Sequence, residues 1–89
     1  MSLAWRIEFT KEAKASMQKL DKSIREHIDK FLTRIAERDN PRSIGGSLKG
    51  TLSGRWRYRV GDYRIICEFQ NNKLIILVLE IGHRSKIYK

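Results

Sequence analysis

The stretch from Gly54 to Phe69 limits the possible folds of this chain more than any other. It contains two runs of alternating polar and apolar residues on either side of the dipeptide Gly61-Asp62. A glycine-first pair between such runs predicts a two-residue β-hairpin turn of the primed type. Antiparallel pairing proceeds outward from the turn, and it therefore places Arg59 directly opposite Arg64.

The two sides of this hairpin differ in chemistry, because successive side chains of a strand point to opposite faces. The arginine side carries Arg55, Arg57, Arg59 and Arg64. The apolar side carries Trp56, Tyr58, Val60, Tyr63, Ile65, Cys67 and Phe69. Like charges directly opposite each other weaken a hairpin by roughly 0.2–1 kcal/mol. A pair that opposes folding in this way is typical of a functional site.

Positive charge is concentrated in the half of the chain that contains the hairpin. The 89 residues include 19 Lys or Arg and 10 Asp or Glu, a net charge of +9. The first 40 residues account for +2 of this charge and the rest for +7. At this length we expect one domain, residues 1–89, with a single core. The basic half indicates a polyanion or an acidic protein segment as the partner.

The sequence lacks the residues that several classes of protein require. The single cysteine, Cys67, excludes an internal disulfide, and His27 and His83 are not spaced with it as zinc ligands. We therefore expect no metal and no cofactor. The N-terminus lacks the apolar core of a signal peptide, and the apolar run at residues 74–79 is too short to span a bilayer. These features favour a soluble, cytoplasmic protein that makes no contact with a membrane.

The remaining segments predict two helices and two more strands. Residues 4–9 alternate as a half-buried strand, and Thr10 is a candidate N-cap for a short helix. Apolar residues from Ile24 to Ile35 recur at helical spacing and predict a longer helix, which ends before Pro41. Residues 74–81 predict a strand with neighbours on both sides. The predicted fold is α+β, with the order β-α-α-β-β-β and an antiparallel four-stranded sheet that has two helices packed on one face.

The sheet face turned away from the helices is a candidate phosphate site. Arg57, Arg59 and Arg64 converge there, and Arg84 reaches the same area if the chain bends at Gly82. Guanidinium groups bind phosphate with two hydrogen bonds, keep their charge near neutral pH and can stabilise a phosphoryl transition state. The alternative interpretation is a solvated basic face with no ligand.

Tyr88 and His83 are the candidates for proton transfer beside these arginines. Histidine titrates near neutral pH, and neighbouring positive charge makes a tyrosine hydroxyl more acidic. Each residue also has a structural interpretation: Tyr88 as an apolar anchor of the chain end, and His83 as a hydrogen-bonding surface group.

Motifs spread over most of the chain point to one family when they are taken together. They are Asn40-Pro41-Arg42, Leu48-Lys49-Gly50, the run from Trp56 to Ile66, and Gly82-His83-Arg84 with Tyr88. This combination resembles the RelE/ParE superfamily of bacterial and archaeal toxin–antitoxin systems, on the RelE side. The resemblance implies a RelE-like fold and a ribosome-dependent endoribonuclease, which cleaves mRNA in the ribosomal A site and thereby inhibits translation.

The resemblance also implies roles for individual residues. The implied catalytic residues are Arg57, Arg59, Arg64, Arg84 and Tyr88, with His83 as an alternative proton carrier. The residues expected to contact RNA or the ribosome are Lys49, Arg55, Lys86 and Lys89. The implied reaction is metal-independent attack of an mRNA 2′-hydroxyl on the adjacent phosphate.

The implied partners are the ribosome, mRNA and a cognate antitoxin, which we expect to be acidic and encoded by an adjacent gene. Two candidate surfaces for the antitoxin stay open: Ile66, Leu77 and Leu79, predicted to be exposed beside the arginines, and the helix surfaces. Two alternatives stay open. One is a ParE-like toxin that poisons gyrase, and the other is a basic RNA-binding domain without catalytic activity.

Overall fold

The computed structural model describes residues 5–50 and 53–83. Its elements are β1 (Arg6–Phe9), α1 (Lys11–Gln18), α2 (Lys22–Ala36), a 3₁₀ turn (Pro41–Ser43), β2 (Gly46–Ser47), β3 (Trp56–Val60), β4 (Tyr63–Gln70) and β5 (Ile75–His83). The strands form one sheet in the order β1-β5-β4-β3-β2. The α+β class and the two helices are confirmed. No helix in the described part of the chain is both long and apolar enough to cross a membrane.

The sheet itself differs from the predicted one in two respects. It has five strands, because Gly46 and Ser47 of the glycine-rich loop pair with β3. It is also mixed rather than antiparallel throughout, because β1 runs parallel to β5. A strand of two residues has no periodicity to detect, and the direction of β1 depends on how the helical segment returns the chain to the sheet. Neither feature is encoded in a local pattern.

Helix α1 begins at a capping side chain, and helix α2 begins after Asp21. Thr10 caps α1, since its Oγ1 accepts a hydrogen bond from the Ala13 N–H at 3.1 Å. The same hydroxyl donates to the Leu79 carbonyl at 3.2 Å, which ties the start of α1 to β5. Helix α2 follows Asp21 and buries its apolar stripe. The most buried members of this stripe are Ile28, Leu32 and Ile35, at 0–2% exposure.

The core lies between the helices and the apolar side of the hairpin. Tyr58 at its centre is fully buried and contacts Phe31 of α2 edge to face, with 5.5 Å between ring centroids. The Tyr58 hydroxyl donates a hydrogen bond of 2.6 Å to the carbonyl of Pro41. Ile65 and Cys67 of β4 are fully buried in the same cluster. The predicted division of the hairpin into an apolar and an arginine side is therefore confirmed.

A β-bulge in β5 changes which of its residues face the core. The ladder with β4 pairs Ile66 with Glu80, and the next pair skips Leu79. A bulge of this kind reverses the alternation of the residues that follow it. As a result Ile81 packs in the core, whereas Glu80 and Gly82 lie on the arginine side of the sheet.

At Gly45 the loop before β2 packs closely against β3. Its φ is +85°, and a Cβ there would lie 2.5 Å from the Arg57 carbonyl oxygen and 2.5 Å from the Trp56 indole nitrogen. That indole nitrogen donates a hydrogen bond of 2.8 Å to the carbonyl of Ile44. Only glycine satisfies both the backbone conformation and the available space.

We expect Gly45→Ala to lower the free energy of unfolding by about 3–5 kcal/mol, because backbone strain and a collision add together. Gly50→Ala is the matched control, since Gly50 has a φ of +70° but no atom within 4 Å of the added Cβ. It should cost only about 1–2 kcal/mol. Urea unfolding followed by circular dichroism measures both, and equal losses would exclude the predicted collision.

Buried Cys67 and Tyr58 predict a loss of stability at alkaline pH. Burial raises the pKa of the Cys67 thiol to about 12 and also raises the pKa of the Tyr58 hydroxyl. The unfolded chain releases these protons first, so their contribution to stability is complete below about pH 9 and is lost as the pH rises towards 12. In this range the free energy of unfolding should fall by up to about 1.4 kcal/mol per pH unit for each group. Urea unfolding at several pH values measures it, and an unchanged slope in Cys67→Ala would contradict the prediction.

Candidate functional site

The hairpin has the predicted register and turn. Arg59 pairs with Arg64, and Arg57 pairs with Ile66. Gly61, the first residue of the turn, has a φ of +58°. A positive φ at this position is typical of a type II′ turn, whose twist matches that of the strands on either side. The turn therefore holds the two arginines of the opposed pair on adjacent strands.

Pairing across β3, β4 and β5 arranges the arginine side in rows. The row nearest the turn contains Arg59, Arg64 and Gly82. The next row contains Arg57, Ile66 and Glu80. We call the surface formed by these two rows the arginine face. Because Gly82 has no side chain, the first row presents two guanidinium groups and no carboxylate.

The arginine face combines exposed and partly buried positive charge. Arg59 is exposed, whereas Arg57 and Arg64 are half-buried. The Nε atom of Arg64 is shielded from solvent. Partial burial lowers the local dielectric constant, so a phosphate bound here would interact more strongly than at a fully exposed site. Glu80, in the second row, is exposed and is the one carboxylate of the face.

The edge strand β2 positions Arg57. Gly46 pairs with Arg57, and a Cβ at this glycine would lie 3.4 Å from the Arg57 Nη2 atom. The guanidinium group therefore lies over a residue that leaves space for it. Sequence analysis missed this relationship, since the only signal was the glycine pair at residues 45–46 and its partner strand was not evident.

His83 lies on the opposite side of the sheet from the position predicted for it. It pairs with Tyr63, and the two rings meet edge to face with 5.6 Å between centroids. Tyr63 packs against the core on the helix-facing side. Because the bulge places Gly82 on the arginine face, alternation puts the next residue on the other face.

The other predicted site residues fall into two groups. Lys49 is exposed in the loop before β3, and Arg55 is half-buried one residue before that strand. Both are outside the two rows of the arginine face. The predicted residues Arg84, Lys86, Tyr88 and Lys89 lie outside the described residues.

The prediction that Ile66 is exposed is wrong. Its side chain is only 2% exposed, and Leu77 and Leu79 are half-buried. Ile66 belongs to β4, the central strand, and long side chains of adjacent strands shield such a position more than alternation alone indicates. The apolar surface beside the arginines is consequently smaller than predicted.

The chemistry available on the arginine face is electrostatic. Three guanidinium groups can neutralise a phosphodiester and the additional charge that develops when it is attacked. Among residues 5–50 and 53–83, no group of three or more His, Cys, Asp or Glu side chains is arranged to hold a metal ion. The three arginines on one face support anion binding by side chains.

Comparison with known proteins shows similarity of this sequence to toxins. The sequence model described as "ParE toxin of type II toxin-antitoxin system, parDE" matches residues 7–88. Toxin RelG of Mycobacterium tuberculosis is 25% identical over 87 residues, which cover 98% of this chain and 99% of that protein. The mRNA interferase toxin RelE of Escherichia coli is 26% identical over 89 residues, which cover 97% and 92%.

Solved structures share the fold across nearly the whole chain. The toxin–antitoxin complex RelBE2 from Mycobacterium tuberculosis contains a chain that matches with a TM-score of 0.84 and 22% identity, covering 97% of this chain and 98% of that one. The isolated RelE toxin of Escherichia coli matches with a TM-score of 0.75 and 22% identity, covering 96% and 92%.

The opposed arginines should reduce stability, and removing one should restore it. We expect Arg59→Thr to raise the free energy of unfolding by about 0.2–1 kcal/mol, because the repulsion with Arg64 disappears and threonine is well suited to a strand. Arg57→Thr is the control, since Arg57 pairs with Ile66 and relieves no repulsion. Urea unfolding at low salt measures the difference between the variants, and equal effects would show that the repulsion is negligible.

Proposed function

Because the chain belongs to the ParE toxin family of type II toxin–antitoxin systems, within the RelE/ParE superfamily, we propose that it is a RelE-type toxin that cleaves mRNA in the ribosomal A site and inhibits translation. Support for the choice within the superfamily comes from relatives named toxin RelG and mRNA interferase toxin RelE. Three arginines on one face of the sheet are the observation that carries the proposal.

The arginine face suits a cleavage in which the RNA supplies its own nucleophile. The 2′-oxygen of one nucleotide attacks the adjacent phosphorus and loses its proton to a base, while the bond from phosphorus to the 5′-oxygen breaks and that oxygen receives a proton. A cyclic phosphate and a 5′-hydroxyl result. Arg59 and Arg64 hold the phosphate from adjacent strands, with Arg57 beside them, and together they neutralise the charge of the transition state. No metal ion takes part in this scheme.

We assign the proton transfer to Tyr88 rather than to His83. The side chain of His83 lies on the helix-facing side with Tyr63, away from Arg59 and Arg64. Tyr88 is assigned from sequence alone, together with Arg84 as a fourth phosphate ligand. The basic residues outside the two rows are assigned to contacts with ribosomal RNA. They are Lys49, Arg55, Lys86 and Lys89.

A cognate antitoxin is the second partner of the proposed toxin. Similar folds occur in structures described as RelB–RelE complexes from Pyrococcus horikoshii and Methanococcus jannaschii. The net charge of +9 favours an acidic antitoxin, which an adjacent gene would encode.

A ParE-like gyrase poison is the second candidate, because the matching family is described by its ParE member. This function would need binding to gyrase but no cleavage of RNA. Induced expression separates the two candidates. The proposed nuclease produces new mRNA 5′ ends within translated messages, whereas a gyrase poison produces DNA breaks and a DNA-damage response while mRNA stays intact.

We expect Arg64→Ala to reduce the rate of mRNA cleavage on translating ribosomes by about 100-fold or more, because a preorganised positive group at the reacting phosphate is lost. Arg6→Ala is the matched control: Arg6 lies at the far edge of the same sheet and forms an exposed ion pair with Glu8 at 3.1 Å. It should retain nearly full activity. Primer extension on mRNA in a reconstituted translation system measures both rates.

The same assay distinguishes catalysis from plain RNA binding. A noncatalytic RNA-binding domain would produce no cleavage, and Arg64→Ala would only weaken its affinity for ribosomes. The proposal is wrong if the wild-type protein binds translating ribosomes without cutting mRNA, or if Arg64→Ala cleaves at the rate of Arg6→Ala.

A further inference from the structure

A groove separates the outer side of α2 from the tip of the hairpin. It has a volume of about 360 Å³ and is lined by His27, Lys30, Phe31, Arg34 and Val60. We call it the tip groove. A smaller cavity of about 160 Å³ shares His27 and Val60 with it and continues to the turn at Gly61 and Asp62. The larger cavity has the volume of about a dozen water molecules at ~30 Å³ each, enough for an apolar side chain and ordered water.

The floor of the tip groove is apolar and firmly held. Phe31 is half-buried, although its neighbour on the same stripe, Leu32, is only 2% exposed. The Phe31 ring packs edge to face on the fully buried Tyr58. Val60 closes the opposite wall at the end of β3 and is also half-buried. A preformed aromatic floor is typical of a site for an anchoring side chain.

The rim of the tip groove is basic. Lys30, Arg34 and His27 are exposed along one side of α2. Neither Lys30 nor Arg34 forms a salt bridge with any residue in the described ranges. The one carboxylate among the lining residues is Asp62, at the end of the smaller cavity beside the turn. The lining of the groove therefore becomes more positively charged from the turn towards Arg34.

From this combination we infer that the tip groove receives an acidic segment of the antitoxin, anchored by an apolar side chain over Phe31 and Val60. The inference rests on the proposed function, which supplies the partner. Acidic residues of the segment face Lys30 and Arg34, and the anchor lies towards the hairpin tip, because Asp62 repels carboxylates at that end. The site is separate from the arginine face, since Val60 and Arg59 point to opposite sides of β3.

An acidic peptide fits the tip groove better than RNA does. Phosphate contacts need positive charge but no apolar floor, and single-stranded bases bind by stacking on exposed aromatic faces. Here the Phe31 ring is half-buried and packed on Tyr58, so it offers a floor rather than an open stacking surface. Disordered acidic segments that fold on binding combine charge with apolar anchors in the way this groove requires.

Nuclear magnetic resonance titration of the ¹⁵N-labelled full chain tests the inference. The probe is a synthetic peptide of about 15 residues, composed of glutamate and alanine with leucine at every third or fourth position. We expect the amide signals of Phe31, Val60 and Gly61 to shift most. Replacing the leucines by alanine should abolish these shifts, because the anchor is lost, and replacing the glutamates by lysine should do the same.

Matched charge reversals test the role of the rim. Lys30→Glu combined with Arg34→Glu should raise the dissociation constant of the peptide at least tenfold. Lys11→Glu combined with Lys22→Glu is the control, because it changes the net charge equally at exposed first positions of α1 and α2, outside the tip groove. The control should change the dissociation constant less than threefold, an effect of about 0.6 kcal/mol.

Three results would overturn the inference: shifts scattered over the surface, equal effects of the two double variants, or oligouridine shifting the groove amides more strongly than the peptide does. The mRNA cleavage assay distinguishes a failure of this inference from a failure of the proposed function. Lys30→Glu with Arg34→Glu should still cleave mRNA, so cleavage without peptide binding contradicts the groove alone. Peptide binding by a wild-type protein that cleaves no mRNA contradicts the nuclease alone.

Discussion

The burial of Tyr58 is the constraint on which the rest of the structure depends. Its ring lies against Phe31 of α2, and its hydroxyl donates to the carbonyl of Pro41, so one side chain connects the hairpin to the long helix and to the turn that follows it. A buried tyrosine must keep its hydroxyl hydrogen-bonded, so only one orientation of its side chain avoids a large cost in free energy. Once Tyr58 points to the core, alternation places Arg57 and Arg59 on the opposite face. The positive site is thus a consequence of how the apolar side packs.

Much of this arrangement was readable from the sequence because it follows from short-range rules. The turn at Gly61 and Asp62 determined the register, and the register determined which face each hairpin residue occupies. The helix stripe from Ile24 to Ile35 was equally clear, because its spacing continues over three turns. Thr10 was identifiable as a cap because threonine at the boundary between a strand and a helix satisfies an otherwise unpaired amide.

The features that escaped prediction depend on contacts between distant parts of the chain. The parallel pairing of β1 with β5 joins residues almost 70 positions apart, such as Arg6 and Ile75. The pairing of Gly46 with Arg57 is formed by a strand of two residues. The exposure of Ile66 was overestimated because alternation describes a single hairpin, whereas this residue lies in the central strand of a sheet. For the site, the sequence predicted the face of the sheet that carries the three arginines, but it predicted the wrong face for His83.

The bulge at Leu79 has a consequence for how this sheet can change during evolution. It adds one residue to β5 that has no partner in β4. Which face of the sheet each later residue of β5 occupies therefore depends on the number of residues that separate it from the bulge, and not on the chemistry of its side chain. Deleting Leu79 itself would remove the bulge and leave the later pairs unchanged, whereas deleting Ile81 would turn Gly82 towards the helices and bring His83 opposite Arg64. A single deletion could therefore exchange the groups next to the arginines while every side chain kept its identity. Insertions and deletions in this strand would alter the chemistry of the arginine face more abruptly than substitutions do.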